Sequence, residues 1–179
     1  MSVLRPDYYL DSVLEITPRW LRERGLEGLI VDLDNTLTSW RERDVGPEVR
    51  RWLEEMRAAG VRLIILSNSR APRRVREVGE RLGLPAIAWA SKPWPWGYRR
   101  ALRRLALPAE RVAAVGDQLF TDVLGGNWVG LTTILVRPYT SREFFGNKLM
   151  RIAERIALRR MGLRTPQATR KTAPEEAGQ

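Results

Sequence analysis

The fold of this chain is decided by the stretch Gly28–Thr36, which reads GLIVDLDNT. A short apolar run that ends in polar residues is typical of a strand buried on both faces of a parallel sheet. Asp32 and Asp34 stand two positions apart where the apolar run ends. Two carboxylates at the mouth of a buried strand need a cation, a proton or a reaction to offset the cost of their burial. The stretch therefore favours metal-dependent phosphoryl transfer.

Composition limits the other chemistries that the chain can perform. The 179 residues are 44% hydrophobic, which is enough for one domain with a core. The sequence contains neither cysteine nor histidine. Disulfides, thiolate zinc sites, cysteine nucleophiles, histidine-dependent serine triads and histidine-bound metals are therefore excluded. Any nucleophile or metal ligand must come from Asp and Glu.

The charge of the chain favours anionic partners. The formal net charge is +10, and nearly all of the positive residues are arginines. Such a surface suits phosphorylated substrates, anionic lipid or nucleic acid, although codon bias or thermal adaptation also enriches arginine. The sequence has no apolar run long enough to span a membrane and no secretory signal. We expect a cytoplasmic protein, with peripheral contact to the inner face of the membrane as an open alternative.

Apolar runs that alternate with amphipathic segments predict an α/β fold with a mainly parallel sheet of five strands. The predicted strands cover residues 29–33, 61–66, 86–90, 112–115 and 132–136. The predicted helices between them cover residues 47–59, 72–82, 96–105 and 121–127. A helix over 47–59 fits its flanks, because proline stands at its start and Gly60 follows its end.

Polar residues follow four of the predicted strands. The carboxyl ends of parallel strands share one edge of the sheet, and ligands bind in the crevice there. Residues far apart in the sequence are thus expected to form one site. They are Asp32 and Asp34 after the first strand, Ser67 and Asn68 after the second, Lys92 after the third and Asp117 after the fourth.

The residue types in this set allow a division of chemical labour. Oxygen ligands such as Asp32 and Asp117 suit Mg²⁺ rather than zinc. Asp32 can attack phosphorus and form an aspartyl phosphate, while Asp34 can act as the general acid and base. The Ser67 hydroxyl can hold phosphoryl oxygens, and Lys92 supplies a fixed positive charge.

The same segments resemble the four motifs of the haloacid dehalogenase superfamily of phosphatases. These segments are DLDNT at 32–36, LSN at 66–68, Lys92-Pro93 and the run from Gly116 to Asp122. A closer resemblance, over residues 8–160, is to the YqeG family of subfamily IIIA, which is similar to the mitochondrial phosphatidylglycerophosphatases. It rests on ITP at 16–18, VGDQLFTDVLGGN at 115–127 and TILV at 133–136. The resemblance implies a three-layer, Rossmann-like fold.

The resemblance also implies a role for each motif residue. Asp32 is then the nucleophile and a metal ligand, and Asp34 is the acid and base whose main-chain carbonyl also binds the metal. Asp117 completes the protein ligands of Mg²⁺, and Ser67 and Lys92 bind the phosphoryl group.

Three further residues have alternative interpretations. Asp122 either supports the metal shell or caps the helix that begins near it. Asn68 either contacts substrate or ties its own loop. We expect Thr36 to brace the loop after the first strand rather than to touch substrate.

The spacing of the motifs leaves no room for a cap domain, so an open site and a large phosphorylated substrate are expected. A lipid headgroup is favoured over nucleic acid. The segment 142–164 reads as a basic amphipathic helix at the end of a single hydrolase domain over 1–164. It either docks on the domain or contacts an anionic membrane. Residues 165–179 are expected to be disordered, and the oligomeric state is not predicted.

Three functions compete at this stage. The first is a Mg²⁺-dependent phosphatase, with phosphatidylglycerophosphate as a candidate substrate. The second is the same chemistry on a phosphoprotein, a sugar phosphate or a nucleotide. The third is a binding protein for the ribosome or a GTPase that has little turnover.

Overall fold

The computed structural model of the chain describes residues 3–39, 42, 44–138 and 162. The helices and strands reported below belong to one compact unit, which spans Met1–Tyr139. The predicted helix over 142–164 and the predicted tail over 165–179 lie outside the described residues, apart from Gly162, and both stay predictions. Within the described part of the chain, no helix has the length and apolar character needed to cross a membrane.

The unit is built on a sheet of six strands that run in parallel. Their order across the sheet is β1-β6-β5-β2-β3-β4. The strands are β1 Tyr8–Leu10, β2 Gly28–Val31, β3 Arg62–Leu66, β4 Ala86–Ile87, β5 Val112–Gly116 and β6 Thr132–Val136.

The prediction of five strands missed the edge strand β1. β1 has three residues, which are partly exposed rather than buried. It pairs with β6 through the register Tyr8 to Ile134. A three-residue edge strand provides neither an apolar run nor an alternation long enough to read from sequence, because its place depends on a partner more than a hundred residues away.

Helices cover both faces of the sheet, which gives the predicted three layers. The helices are α1 Pro18–Arg22, α2 Pro47–Ala58, α3 Pro72–Leu82, α4 Pro95–Leu105 and α5 Leu124–Val129. Buried side chains of α1, α2 and α3 form one apolar cluster with one face of the strands. Buried side chains of α4 belong to a second cluster on the other face, and α5 packs beside α4.

The central strand β2 shows why its sequence is apolar at every position. Leu29 and Val31 belong to the cluster under α2 and α3. Ile30 belongs to the cluster under α4. Successive side chains of a strand point to opposite faces, so a strand covered on both sides must be apolar throughout.

The position of β2 also places the carboxylates that follow it. β2 lies between β3 and β5, and Val31 pairs with Ile65 on one side and Val115 on the other. After β2, the chain adds β3 and β4 in turn on one side of β2, and it then places β5 on the opposite side of β2. Such a reversal leaves a crevice at the carboxyl ends of the two strands.

Two predicted elements differ most from the structure. The region 121–127 was predicted as one helix but consists of a π-helix, Leu119–Val123, followed by α5. The strand predicted over 86–90 ends at Ile87, and Trp89 adopts a left-handed backbone with φ 52°. The hydrophobic pattern of the sequence does not reveal either of these local changes in backbone geometry.

The described residues contain no cap domain between the predicted motifs. α2 is the helix in the described chain between β2 and β3, and α3 is the helix between β3 and β4. Each of these two connections therefore contains a helix that packs on a face of the sheet. The crevice at the strand ends is not covered by an inserted domain in this part of the chain.

Truncation of the core at Ile65 is expected to destabilise the unit. Ile65 is fully buried in β3 and belongs to the cluster under α2 and α3. Ile65→Ala removes buried methyl groups and leaves a cavity, so the free energy of unfolding should fall by about 2–5 kcal/mol. Urea denaturation measures the change, and Glu54→Ala on the exposed side of α2 is the control. Equal loss in both variants would contradict this assignment of the core.

Candidate active site

The centre of the crevice is a buried lysine held by two carboxylates. Lys92 Nζ lies 2.5 Å from Asp32 Oδ1 and 2.6 Å from Asp122 Oδ1. The side chains of all three residues are less than a tenth exposed. Charge-assisted hydrogen bonds between buried groups are stronger than the same bonds at a surface. The arrangement fixes the lysine charge next to the Asp32 carboxylate.

The three charges shift each other's protonation. Burial raises the pKa of Asp32 well above its ordinary value, Lys92 lowers it in part, and Asp122 and Asp117 raise it further. Burial alone would lower the pKa of Lys92, but Asp122 and Asp32 reverse that effect and raise it above the ordinary value. Lys92 is therefore charged throughout the physiological range of pH.

Asp117 adds a further carboxylate to the same place. It is 5% exposed, and its charge acts on Asp32. Asp32 itself donates its backbone N–H to the Val115 carbonyl at 2.8 Å, which ties the ends of β2 and β5 together. The register between these strands thus brings Asp117, two residues beyond Val115, beside Asp32.

The charge balance of the site fits a divalent cation. The buried charged residues of the described chain are Asp32, Asp117, Asp122 and Lys92, so the ionised site carries an excess of two negative charges. No three acidic side chains in the described ranges converge to enclose a metal by themselves. Mg²⁺ is commonly held by one or two carboxylates together with water and substrate phosphate. Asp32 and Asp117 fit such a partial ligand set.

Asp122 reaches the lysine because a glycine lies beneath it. Asp122 sits in the π-helix Leu119–Val123, where its second carboxylate oxygen accepts the Gln118 N–H at 3.2 Å. A side chain at Gly116 would lie 2.1 Å from the Asp122 carboxyl carbon. The carboxylate therefore packs directly against the main chain at the end of β5. One oxygen of Asp122 thus contacts Lys92 and the other accepts an N–H at the start of the π-helix, and both interpretations of Asp122 stay predictions.

Asn68 ties the second and third motifs together. Its amide oxygen accepts the Lys92 N–H at 2.7 Å, and its amide nitrogen donates to the Lys92 carbonyl at 2.9 Å. Asn68 therefore bonds to the loop of Lys92, 24 residues further along the chain, rather than to its own loop, and a contact to substrate stays a prediction. Ser67 is buried at the end of β3, and its Oγ accepts the Ser69 N–H at 3.0 Å. The Ser67 hydroxyl hydrogen can then point to a phosphoryl oxygen.

Asp34 has a partner that sequence reasoning missed. Arg74 Nη1 of α3 donates to Asp34 Oδ1 at 2.7 Å. The same guanidinium donates to the carbonyls of Ser39 and Glu42 at 2.9–3.1 Å. Arg74 therefore fixes both the Asp34 carboxylate and the loop that follows it. No motif contains Arg74, and its role depends on how α3 packs beside that loop.

The loop after β2 is organised by its own polar residues. Asn35 adopts φ 63°, a left-handed conformation that asparagine tolerates, and its N–H donates to the Thr38 carbonyl at 2.7 Å. Thr38 is fully buried and donates through Oγ1 to the Asp44 carbonyl at 2.6 Å. Thr36 is also buried, but its Oγ1 has no hydrogen-bond partner among the described residues. Thr38, rather than Thr36, provides the observed side-chain brace.

The structure thus brings most of the predicted residues to one edge of the sheet. Asp32, Lys92 and Asp122 are in direct contact, and Asp117 lies within electrostatic range. Asp34, Ser67 and Asn68 follow the ends of β2 and β3. The catalytic and metal-binding roles of these residues stay predictions. Arg74 and Thr38 are the additions that tertiary structure supplies.

Comparison with known proteins agrees with this geometry. A family model for haloacid dehalogenase-like hydrolases matches residues 17–130. The Probable phosphatase YqeG of Bacillus subtilis is 42% identical over 160 residues, which cover 88% of this chain and 92% of that protein. The chloroplastic phosphatidylglycerophosphate phosphatase 1 of Chlamydomonas reinhardtii is 30% identical over 86% of this chain and 60% of its own length.

A solved structure shows the same fold at low identity. A haloacid dehalogenase-like hydrolase from Brucella suis has a TM-score of 0.52 and 15% identity, over 72% of this chain and 93% of that one. The family model and the two named relatives identify the class of this α/β protein as a phosphatase. This chain belongs to the haloacid dehalogenase-like hydrolases and, among them, to the family of the YqeG phosphatases.

Loss of Arg74 tests the predicted role of Asp34 as the general acid. Arg74→Ala removes a charge-assisted contact to Asp34, so kcat/KM for an alkyl phosphate should fall about 10–100-fold. An activated aryl phosphate needs less leaving-group protonation, so its kcat/KM should fall less. Steady-state phosphate release measures both substrates. Arg76→Ala, an exposed position on the same helix, is the control, and an equal deficit on both substrates would contradict an effect through Asp34.

Neutralising Asp122 tests whether it positions Lys92. Asp122→Asn keeps the shape of the side chain but removes the charge that faces Lys92 Nζ. Loss of one charge-assisted bond should lower kcat about 10–100-fold. Phosphate release and thermal unfolding are measured together, with Glu80→Gln on α3 as the control. Full activity in Asp122→Asn would show that Asp32 alone suffices to hold the lysine.

Proposed function

We propose that this chain is a Mg²⁺-dependent phosphomonoesterase that works through an aspartyl phosphate on Asp32 and takes a lipid phosphomonoester as substrate. The observation that carries the proposal is the buried contact between Asp32 and Lys92 beside Asp117. A carboxylate that is desolvated, held in place and flanked by a fixed cation is a suitable nucleophile for an anionic phosphoryl group.

The first half of the reaction transfers the phosphoryl group to Asp32. An Asp32 carboxylate oxygen forms a bond to phosphorus as the bond from phosphorus to the leaving oxygen breaks. Asp34 gives its proton to that oxygen, so the product leaves as an alcohol. Because Arg74 bonds to Asp34 Oδ1, the proton is assigned to Oδ2. Lys92 and the Ser67 hydroxyl stabilise the charge on the phosphoryl oxygens.

The second half returns the enzyme to its starting state. Asp34, now ionised, takes a proton from water as the water oxygen bonds to phosphorus. The bond between phosphorus and the Asp32 oxygen breaks and releases inorganic phosphate. Mg²⁺ bound by Asp32 and Asp117 would neutralise phosphoryl charge during both transfers. The chain's own residues supply the nucleophile, the proton carrier and the phosphoryl contacts.

The choice of a lipid phosphomonoester rests on two supports. The algal relative bears the name phosphatidylglycerophosphate phosphatase and aligns with 86% of this chain. In the described residues, the connections β2 to β3 and β3 to β4 hold layer helices and no inserted domain. An uncovered crevice suits a substrate that itself helps to exclude water, such as a headgroup presented at a bilayer.

Removal of the proposed nucleophile is expected to abolish turnover. Asp32→Asn replaces the attacking carboxylate with an amide, so phosphate release in the presence of Mg²⁺ should fall below detection. Asp11→Asn, an exposed position near the edge strand, is the control. Chelation by EDTA should stop the wild-type reaction, and added Mg²⁺ should restore it. Turnover that persists in Asp32→Asn would overturn the mechanism.

A substrate with a labelled phosphoryl group distinguishes a reaction through an aspartyl phosphate from direct attack by water on the substrate. Acid quenching of the wild-type reaction should leave label on the protein, and hydroxylamine should remove it because it cleaves acyl phosphates. A panel then compares phosphatidylglycerophosphate in vesicles with a sugar phosphate, a nucleotide and a phosphopeptide. The highest kcat/KM is expected for the lipid, and a higher value for another class would overturn that choice of substrate.

A further inference from the structure

Four exposed tryptophans surround the loop that carries Lys92. Trp89, Trp94, Trp96 and Trp128 are 64%, 55%, 65% and 45% exposed, and they account for the exposed tryptophans of the described chain. The rings of Trp94 and Trp128 lie 5.9 Å apart. Large aromatic side chains are usually buried because each removes much apolar area from water. We call these four residues the tryptophan surface.

Close backbone packing fixes this surface to the active-site loop. A side chain at Gly97, in the first turn of α4, would lie 2.4 Å from the Ala90 carbonyl oxygen. A side chain at Gly125 of α5 would lie 2.8 Å from the Pro93 carbonyl oxygen. The elements that carry Trp96 and Trp128 therefore pack directly against the loop around Lys92.

The loop itself holds its indoles outward. Trp89 and Ser91 adopt left-handed backbone conformations, with φ 52° and 55°. Such conformations are unfavourable for bulky residues and persist when surrounding contacts impose them. Here the Ala90 N–H donates to the Ser67 carbonyl at 3.1 Å, and the Trp94 N–H donates to the Ser91 carbonyl at 2.9 Å. These bonds hold the loop backbone in a conformation that leaves Trp89 and Trp94 exposed.

Arginines extend the surface along α4. Trp96, Arg99, Arg100 and Arg103 are exposed and recur at three- and four-residue spacing, so they share the outer face of the helix. Tyr98, Ala101 and Leu105 form the opposite, buried face. The sequence contains no Asp or Glu between Glu80 and Glu110. The surface therefore combines half-exposed indoles with arginines that have no acidic neighbours along this stretch of sequence.

We propose that the tryptophan surface and the outer arginines of α4 dock this protein on an anionic lipid bilayer, with the Lys92 loop next to the headgroups. Indole rings are suited to the membrane interface because their apolar body and polar N–H match its two sides. Arginines near an anionic leaflet add electrostatic attraction. The positive charge thus favours an anionic partner, and the indoles favour the interface between the membrane and water.

Docking in this orientation would serve catalysis at Asp32. Lys92 lies two residues before Trp94 and contacts Asp32. A bilayer against the tryptophan surface would bring headgroup phosphates next to the loop that carries Lys92. This consequence rests on the proposed function, whereas the docking itself does not require turnover.

Vesicle sedimentation with the full chain tests the docking. Vesicles of equal parts phosphatidylglycerol and phosphatidylcholine contain no phosphomonoester, so binding is measured apart from catalysis. Arg99→Glu/Arg100→Glu should weaken binding at least about 30-fold. The matched control is Arg51→Glu/Arg76→Glu, which changes net charge equally at exposed positions of α2 and α3 on the other side of the sheet. It should bind as the wild type does.

Tryptophan variants separate interface insertion from simple charge attraction. Trp94→Ala/Trp96→Ala should weaken binding to the same vesicles and should still do so at high salt, where charge attraction is screened. Both surface variants should hydrolyse soluble 4-nitrophenyl phosphate as the wild type does, which shows that they fold. Hydrolysis of phosphatidylglycerophosphate in vesicles should fall in parallel with binding.

Several results would overturn the docking proposal. Equal vesicle binding by the wild type and the α4 variant would do so, as would binding to RNA without binding to anionic vesicles. If the wild type is a dimer, the Trp94→Ala/Trp96→Ala variant is a monomer and neither binds vesicles, the surface would be an interface with a second copy of the chain. Vesicle binding without lipid hydrolysis would support docking while it overturns the proposed substrate.

Discussion

The buried contact of Lys92 with Asp32 and Asp122 is the interaction on which the rest of the site depends. Three charged groups are buried together, and the cost of their desolvation is offset because one oxygen of each carboxylate lies within 2.6 Å of the ammonium. The contact needs Asn68 to hold the Lys92 loop and Gly116 to let Asp122 approach. The contact joins residues that follow β2, β4 and β5, so the chemistry of the site depends on the order of the strands in the sheet.

The same constraint explains why the surroundings of the lysine are so closely packed. Glycines in α4 and α5 let both helices approach the main chain of the Lys92 loop. Tyr98 of α4 donates its hydroxyl to the Thr121 carbonyl at 3.0 Å, which connects α4 to the π-helix that carries Asp122. Tight packing on the inner side of this loop leaves its indoles on the outer side. The same packing around the Lys92 loop thus produces both the closely packed site and the exposed aromatic surface.

Sequence patterning anticipated the parts of the fold that local hydrophobicity encodes. The helix over 72–82 was predicted with the bounds that α3 has, and the strand over 132–136 with those of β6. β1 was missed because three partly exposed residues carry no pattern of their own. The single helix predicted over 121–127 was wrong in type for its first part, since a π-helix differs from an α-helix in hydrogen bonding rather than in hydrophobic period.

The sequence by itself determined the chemical repertoire and the positions at strand ends. Without histidine or cysteine, carboxylates were the candidate ligands and nucleophiles, and strand periodicity placed Asp32, Asp34 and Asp117 at one edge. Tertiary structure alone decided which groups touch. Asp122 meets Lys92 through a π-helix above Gly116, and Arg74 meets Asp34 across forty residues. Such contacts depend on how elements pack in space, and one-dimensional periodicity does not carry that information.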